Sequence, residues 1–259
     1  MVRTEADIDV DDQVMVKCYI EALYSNDREI RETTMQVLTQ IGNPAIPSLV
    51  KSLQAPNCEV RQCAAGVLEQ LKWVPASDIE YGFYAFASQR WDLLVEIGLA
   101  ALYAIAAALQ DESFYIRTSA VLALGEMAHP ESLPLLELAI QDENPYVRSA
   151  AARALGHLGE PSLDHLRQAL HDEDKGVRME AANALVKMRE AAVPVLINAL
   201  REGDWYLRGE IAQALVDIGS KVVPSLVDLL KDNELCYDAA DILTALKVDP
   251  RQYGFQSYA

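Results

Sequence analysis

Cysteines and histidines are the side chains of this 259-residue chain best suited to metal binding or nucleophilic chemistry. Cys58 and Cys63 would lie about 140° apart around one helix, so they cannot share a metal ion unaided. His157, His165 and His171 are not spaced to meet on one helix face, and no metal site is predicted. Cys58 stands at a predicted helix N-terminus, where the helix dipole lowers a thiol pKa. It is therefore a candidate reactive thiol or iron–sulfur cluster ligand.

Short catalytic motifs are absent from the chain. We find no G-x-G-x-x-G, G-x4-G-K-[ST], G-x-S-x-G or H-E-x-x-H segment. No catalytic residue is therefore indicated, and the sequence favours a non-enzymatic protein. The four cysteines are too sparse for a disulfide scaffold and include no C-x-x-C pair, which favours a reducing compartment.

Arginine recurs at a regular spacing along the chain, which indicates repeated structural elements. The intervals are 30, 56, 31, 30 and 30 residues; the four short ones correspond to one helical hairpin each, and the long one hides a repeat without its arginine. The six residues are Arg31, Arg61, Arg117, Arg148, Arg178 and Arg208. In an eighth unit Cys236 takes this place. Mostly apolar residues follow at three, four and seven positions, which indicates a helix with one buried face.

The boundaries of two helices can be predicted in each repeat. Four residues before each arginine, and before Cys236, stands a residue type that caps helix N-termini. These residues are Asp27, Asn57, Ser113, Asn144, Asp174, Asp204 and Asp232. A second amphipathic segment precedes each capped helix, with a proline suited to its first turn in three repeats. Four glycines are placed to end the preceding helix in a left-handed cap: Gly42, Gly98, Gly159 and Gly219.

The predicted fold is all-α, a right-handed α-solenoid of about eight helical hairpins, one of them degenerate. Such hairpins bury their apolar faces only against their neighbours, so we expect one continuous solenoid over residues 13–247. The irregular repeat occupies 72–98, with an acidic tail at 1–12 and a second tail at 248–259.

The segment 142–156, DENPYVRSAAARALG, resembles the HEAT-like repeat of the cyanobacterial phycobilisome-lyase-type family. The resemblance extends over most of the chain and implies HEAT-like hairpins throughout. It also implies one of several functions: bilin lyase, phycobilisome degradation factor, partner of the IscA-interacting HEAT-repeat type, or scaffold. The aromatic strip Y-Y-A-A-W-W-L-G of the lyase E-subunits is absent here.

Each regular repeat also places an acid in the turn between its helices. The acid and arginine pairs are Asp111 with Arg117, Asp142 with Arg148, Asp172 with Arg178, and Glu202 with Arg208. A planar guanidinium can bridge carboxylates and turn carbonyls, so stacked repeats should form a structural ladder of acids and arginines.

The irregular repeat is rich in aromatic residues, among them Tyr81, Tyr84 and Trp91. Ser77 or Asp78 should cap a helix that runs to about residue 88, with a shorter helix after it. The rings either fill the space left by a shortened hairpin or form a wall for a flat chromophore or a partner helix.

A second aromatic group, which we call the aromatic rim, follows the predicted helix caps: Phe114, Tyr115, Tyr146, Trp205 and Tyr206. Exposed tyrosine and tryptophan are enriched at protein interfaces. Both a partner contact and ordinary packing between repeats are compatible with the pattern.

Acidic side chains are expected along the inner surface of the second helices. Glu180, Glu210, Asp217 and Asp238 are candidates to attract a basic segment of a partner protein. The alternative is an ordinary solvated helix face.

The formal net charge of −17 disfavours nucleic acid and anionic membrane surfaces, since phosphate binding depends on clustered Lys and Arg. The nearly apolar run Ile97–Leu109 has 13 residues, short of the roughly 20 that cross a bilayer, and we expect no membrane insertion. The first twelve residues contain no apolar signal region, so a cytoplasmic location is expected.

These observations favour a non-catalytic scaffold that binds a protein partner with a basic segment, without a cofactor. Two alternatives stay open. One is a bilin lyase or chromophore-handling chaperone, and the other is an iron–sulfur assembly partner, so a bilin or an iron–sulfur cluster would then be bound.

Overall fold

A computed structural model of the chain describes residues 10–203 and 205–255, and gives the backbone alone for residues 10–12, 205 and 206. Over these ranges the ordered elements are α-helices and short 3-10 turns, without a β-strand. The predicted all-α fold is confirmed. The chain divides into two compact units, Met1–Ala123 and Leu124–Ala259.

The first unit contains three complete hairpins and most of a fourth. Its helices are α1 (Val10–Ala22), α2 (Arg28–Ile41), α3 (Ile46–Ser52), α4 (Cys58–Gln70), α5 (Asp78–Ala87), α6 (Trp91–Ile97), α7 (Leu102–Ala108) and α8 (Phe114–Met127), the last of which ends in the second unit. Helix α1 begins within the segment that the sequence assigned to an acidic tail, while residues 1–9 lie outside the description.

The second unit continues with four further hairpins. Its helices are α9 (Leu133–Ala139), α10 (Pro145–Leu158), α11 (Leu163–Ala169), α12 (Lys175–Met188), α13 (Val193–Glu202), α14 (Trp205–Ile218), α15 (Val223–Leu229) and α16 (Cys236–Ala245). In each of these four pairs the first helix is the shorter one, and a 3-10 turn precedes it. A 3-10 turn at Pro250–Tyr253 lies in the segment predicted as a tail.

Four of the predicted N-caps form side-chain hydrogen bonds at the start of their helices. Asp27, Asn57, Asn144 and Asp174 each accept a hydrogen bond from a backbone N–H in the first turn of their helix. Asp232 accepts from the N–H groups of Glu234 and Leu235, but the regular helix α16 begins later than the sequence predicts, at Cys236. Asp204 lies outside the described residues.

The glycine turns that separate the repeats differ in one dihedral angle from the prediction. Gly159 has φ 74° and ψ −146°, and the other three have φ between 71° and 90°. The positive φ was predicted, but ψ lies far from the left-handed helical value, and the chain enters a 3-10 turn instead. Arg189 occupies the same place before α13, with φ 52° and ψ −122°.

Small residues allow the second helices of the second unit to approach closely. A Cβ atom added to Gly156 would lie 2.8 Å from the Cβ of Ala184, and one added to Gly125 would lie 3.0 Å from that of Ala154. Ala151 on α10 and Ala181 on α12 are also fully buried. This close contact explains the A-L-G ending of the repeat motif, since a larger side chain would separate the helices.

One segment, Trp91–Ala108, is long and apolar enough to cross a membrane by length and composition, with 18 residues and a mean hydropathy of 1.6. It extends further back than the 13-residue run seen in the sequence. The segment is not a straight helix, because α6 ends at Gly98, whose φ is 71°. Leu94, Ala104 and Ile105 are buried within the first unit.

Candidate functional site

The repeated arginines are structural, as Arg148 shows in most detail. Its Nη1 donates hydrogen bonds to the carbonyl oxygens of Asp142 (2.9 Å) and Glu143 (3.2 Å) in its own turn. Its Nε and Nη2 donate to both carboxylate oxygens of Asp172, at 2.8 and 2.9 Å, in the turn of the next repeat. The bond to Asp172 raises the pKa of Arg148 above its usual range. Each guanidinium of this kind therefore fastens one hairpin to the next.

Other arginines repeat this arrangement with a carboxylate on the next second helix. Arg178 bonds the carbonyls of its own turn and Glu210 Oε2 at 3.2 Å, and Arg208 pairs with Asp238 at 3.2 Å. In the first unit Arg31 lies 3.1 Å from Glu59. The predicted ladder is thus present within both units, and its acids come from two different places in the repeat.

Arg61 forms the most buried rung in the first unit. Its Nη1 donates to the carbonyls of Ala55 and Pro56, and its Nη2 donates to the carboxylate of Asp111. The side chains of Arg61 and Asp111 are each 5% exposed. The guanidinium carbon also lies 4.5 Å from the centre of the Phe86 ring. One aromatic residue of the irregular hairpin therefore completes the ladder, because that hairpin has no arginine at the ladder position.

Three of the four acids predicted to attract a partner take part in ion pairs between helices of the second unit. Glu180 bonds Arg153 at 2.8 Å, and Glu210 and Asp238 are the ladder acids described above. Asp217 accepts a hydrogen bond from the Gln213 amide at 2.9 Å. Because Arg178 and Arg208 neutralise Glu210 and Asp238, this face is less negative than its acid count suggests. The contribution of these acids to partner binding stays a prediction.

Two residues of the aromatic rim are strongly exposed. Tyr115, in the first unit, is 71% exposed, and Tyr146, in the second, is 69% exposed. Each stands two residues before a buried ladder arginine. Phe114 is less exposed, and the centre of its ring lies 4.0 Å from that of Tyr115. The side chains of Trp205 and Tyr206 lie outside the described residues.

The aromatic residues of the irregular hairpin have two separate roles. Tyr81, Tyr84 and Trp73 line an open cleft of about 520 Å³ in the first unit, which we call the aromatic cleft. Trp91 lies outside this lining and packs on Phe86, with ring centres 6.2 Å apart. Trp73 and Tyr84 also pack against the buried core, so they fill space and form a wall at the same time.

Cysteines and histidines do not gather into a site within the part of the chain that the structure describes. No group of three His, Cys, Asp or Glu side chains there could hold a metal ion. Cys58 is a partly exposed free thiol at the first position of α4, and burial raises the pKa of the neighbouring Cys63. The Nε2 atom of His165 on α11 lies 3.1 Å from the Oε1 atom of Glu137 on α9, so this pair can connect two neighbouring first helices.

Several solved structures match this chain, but their sequence identity to it is low. The complex of CpcE and CpcF of phycocyanin lyase from Nostoc sp. PCC7120 is 20% identical, covering 66% of this chain and 97% of that chain, with a TM-score of 0.39. An engineered protein is 19% identical, covering 92% and 80%, with a TM-score of 0.40. The Kap95:Nup1 complex is 15% identical, covering 95% of this chain and 36% of that chain, with a TM-score of 0.45.

A sequence model of a protein family gives the decisive comparison. No curated protein matches the chain. The model described as HEAT repeats matches residues 102–186 and 163–247, which together make up more than half of the chain. The matched segments contain the ladder arginines Arg117, Arg148, Arg178 and Arg208 and the small-residue contacts between α10 and α12. The chain belongs to the HEAT-repeat family.

Proposed function

We propose that the chain is a non-catalytic scaffold that binds a protein partner through the exposed tyrosines of its aromatic rim. HEAT repeats suggest a protein-interaction scaffold in general. The observation that carries the specific proposal is the exposure of Tyr115 and Tyr146, 71% and 69%. A tyrosine brings a large contact area to an interface at a small entropic cost, because it has only two rotatable side-chain bonds.

The position of these tyrosines supports a function outside the fold. The same place in other repeats holds Glu29, Glu59, Gly176 and Glu234. Packing between repeats therefore does not require a ring there, whereas the ladder arginine two residues later recurs in six repeats. A side chain that packing does not require and that lies largely in solvent is available for a partner.

Quantitative affinity purification from the native host tests this proposal. The bait carries Tyr115→Ala with Tyr146→Ala, and the matched control is Tyr103→Ala, which removes a tyrosine that is 66% exposed but lies on a first helix. We expect one protein to be retained by wild type and by the control but depleted at least about fivefold on the rim variant. Equal recovery on all three baits would contradict the proposal. Trp205→Ala with Tyr206→Ala extends the test to α14.

Chromophore handling is the second candidate function, and the aromatic cleft is the observation in its favour. A cleft of about 520 Å³ with aromatic walls could accept part of a planar ring system. Its charged lining residues are Glu69 and Asp78, which disfavour the propionate groups of a bilin. Adding a free bilin to the purified protein and recording the visible spectrum tests the idea. A red-shifted band that disappears in Tyr81→Ala would support it, and an unchanged bilin spectrum would exclude it.

A further inference from the structure

The aromatic cleft combines ring faces with carboxylates in one place. Tyr81 and Tyr84 lie on successive turns of α5 with nearly parallel rings, 6.5 Å apart between centres. Trp73 lies against Tyr84 at 6.0 Å with its ring tilted by 57°, so the two rings form a corner. Glu69 at the end of α4 and Asp78 at the start of α5 line the same space.

The lining of the cleft carries two negative charges and no positive one, although Arg90, outside the lining, acts on Tyr84. Among the described residues that line it there is no lysine or arginine, and neither Glu69 nor Asp78 forms an ion pair in the described part of the chain. By contrast, the ladder carboxylates Asp172, Glu210 and Asp238 are all paired. Burial, with a smaller contribution from Glu69, raises the pKa of Tyr84, while a hydrogen bond with Arg90 opposes the shift. The negative charge of Glu69 is therefore felt at Tyr84, one of the two residues whose rings form the corner.

The same chain already shows which group suits a ring beside a carboxylate. The Arg61 guanidinium lies over the Phe86 ring at 4.5 Å and pairs with Asp111. A planar guanidinium can stack on an aromatic face and still donate hydrogen bonds in its own plane to a carboxylate. An ammonium group offers no planar face for stacking, so lysine suits the site less well.

We propose that the aromatic cleft binds an arginine side chain in a basic segment of the partner protein, stacked against the Trp73, Tyr81 and Tyr84 rings and paired with Glu69. This inference rests on the proposed scaffold function and names the chemistry of one partner segment. A protein segment is favoured over a small free cation for two reasons. The cleft is open to solvent rather than enclosed, so a chain can enter and leave it, and the formal net charge of −17 attracts a basic segment over a distance.

A labelled peptide of alternating glycine and arginine tests the site directly by fluorescence polarisation. The key variant is Glu69→Lys, and its matched control is Glu96→Lys. Both residues are exposed acids in the last turn of a helix, where lysine is favourable, and both variants change the net charge equally. We expect Glu69→Lys to weaken binding at least about fivefold and Glu96→Lys to weaken it less than about twofold.

Ring contributions are separated in the same assay. Tyr81→Ala should weaken the arginine peptide about threefold or more, whereas Tyr103→Ala should leave its affinity unchanged. The corresponding lysine peptide should bind more weakly to wild type and respond less to Tyr81→Ala. Equal effects of the two glutamate variants, or equal binding of the arginine and lysine peptides, would overturn the proposal, since net charge alone would then explain the binding. This assay uses no native partner. A negative result would therefore overturn the proposal for the cleft alone, because the rim tyrosines are tested independently by affinity purification.

Discussion

Arg61 and Asp111 form a buried ion pair although they belong to repeats separated by the whole irregular hairpin, 50 residues apart in sequence. In a regular part of the chain, Arg148 and its acid Asp172 are 24 residues apart. The pairing therefore passes over α5 and α6, which contribute the Phe86 ring instead of a charged group. The irregular hairpin is thus accommodated without interrupting the ladder.

The buried pair should be sensitive to the loss of one charge. Asp111→Asn leaves the Arg61 guanidinium buried without its carboxylate, and we expect a loss of about 3 kcal/mol in the free energy of unfolding. The control is Glu32→Gln, which breaks the exposed pair with Arg28 and should leave the stability nearly unchanged. Urea unfolding followed by circular dichroism measures both. Similar losses in the two variants would show that Arg61 finds another partner.

Two glycines in second helices should respond in opposite directions to alanine. Gly156→Ala would place a Cβ 2.8 Å from that of Ala184, so α10 and α12 must separate, and we expect a loss of about 2 kcal/mol. A Cβ on Gly209 would meet nothing within 4 Å, so Gly209→Ala should raise stability by about 0.5–1 kcal/mol through helix propensity. Thermal unfolding of both variants checks the pair. A stable Gly156→Ala protein would indicate that the helices are not in tight contact.

Asp232 gives a prediction for the dependence on pH. The backbone N–H of Glu234 and the Arg201 side chain, 2.8 Å away, lower the pKa of this carboxyl below its ordinary value of 3.8. Because the unfolded chain binds the proton more readily, the stabilisation is present above about pH 4 and is lost as the pH falls through the lowered pKa.

Carboxyl-detected NMR titration of wild type and Arg201→Ala measures this effect. In the variant we expect the pKa of Asp232 to rise without reaching 3.8, because the backbone hydrogen bond remains. A wild-type pKa at or above 3.8 would mean that these bonds do not form in solution.

Much of the fold could be predicted because its signals are local. The caps Asn57 and Asn144 and the helical spacing of apolar residues lie within single helices, so one repeat is enough to recognise them. The irregular hairpin was predicted for the same reason: Ser77 caps α5, which ends at Ala87, and α6 ends at Ile97.

Contacts between repeats were harder to predict. The sequence placed Glu210 and Asp238 on an exposed inner face, whereas they pair with Arg178 and Arg208 of the preceding repeats. Each of these acids stands two residues after the ladder position of its own repeat, a regularity that could have suggested a structural role. The aromatic cleft depends on the turn after α4, where Lys72 has φ 52°, and no local pattern indicates that conformation.

Tyr146 and Arg148 lie two residues apart on α10 and have opposite expected roles, which allows the most direct test of the central claim. Once the partner is identified, its affinity and the melting temperature should be measured for Tyr146→Ala and Arg148→Ala. We predict that Tyr146→Ala lowers affinity about tenfold, or ~1.4 kcal/mol, with little change in melting temperature. Arg148→Ala, which leaves the partly buried Asp172 without its cation, should lower the melting temperature by several degrees and keep the affinity of the folded protein. If Arg148→Ala abolished binding while the protein stayed fully stable, or if Tyr146→Ala bound normally, the division into a structural ladder and a binding rim would be contradicted.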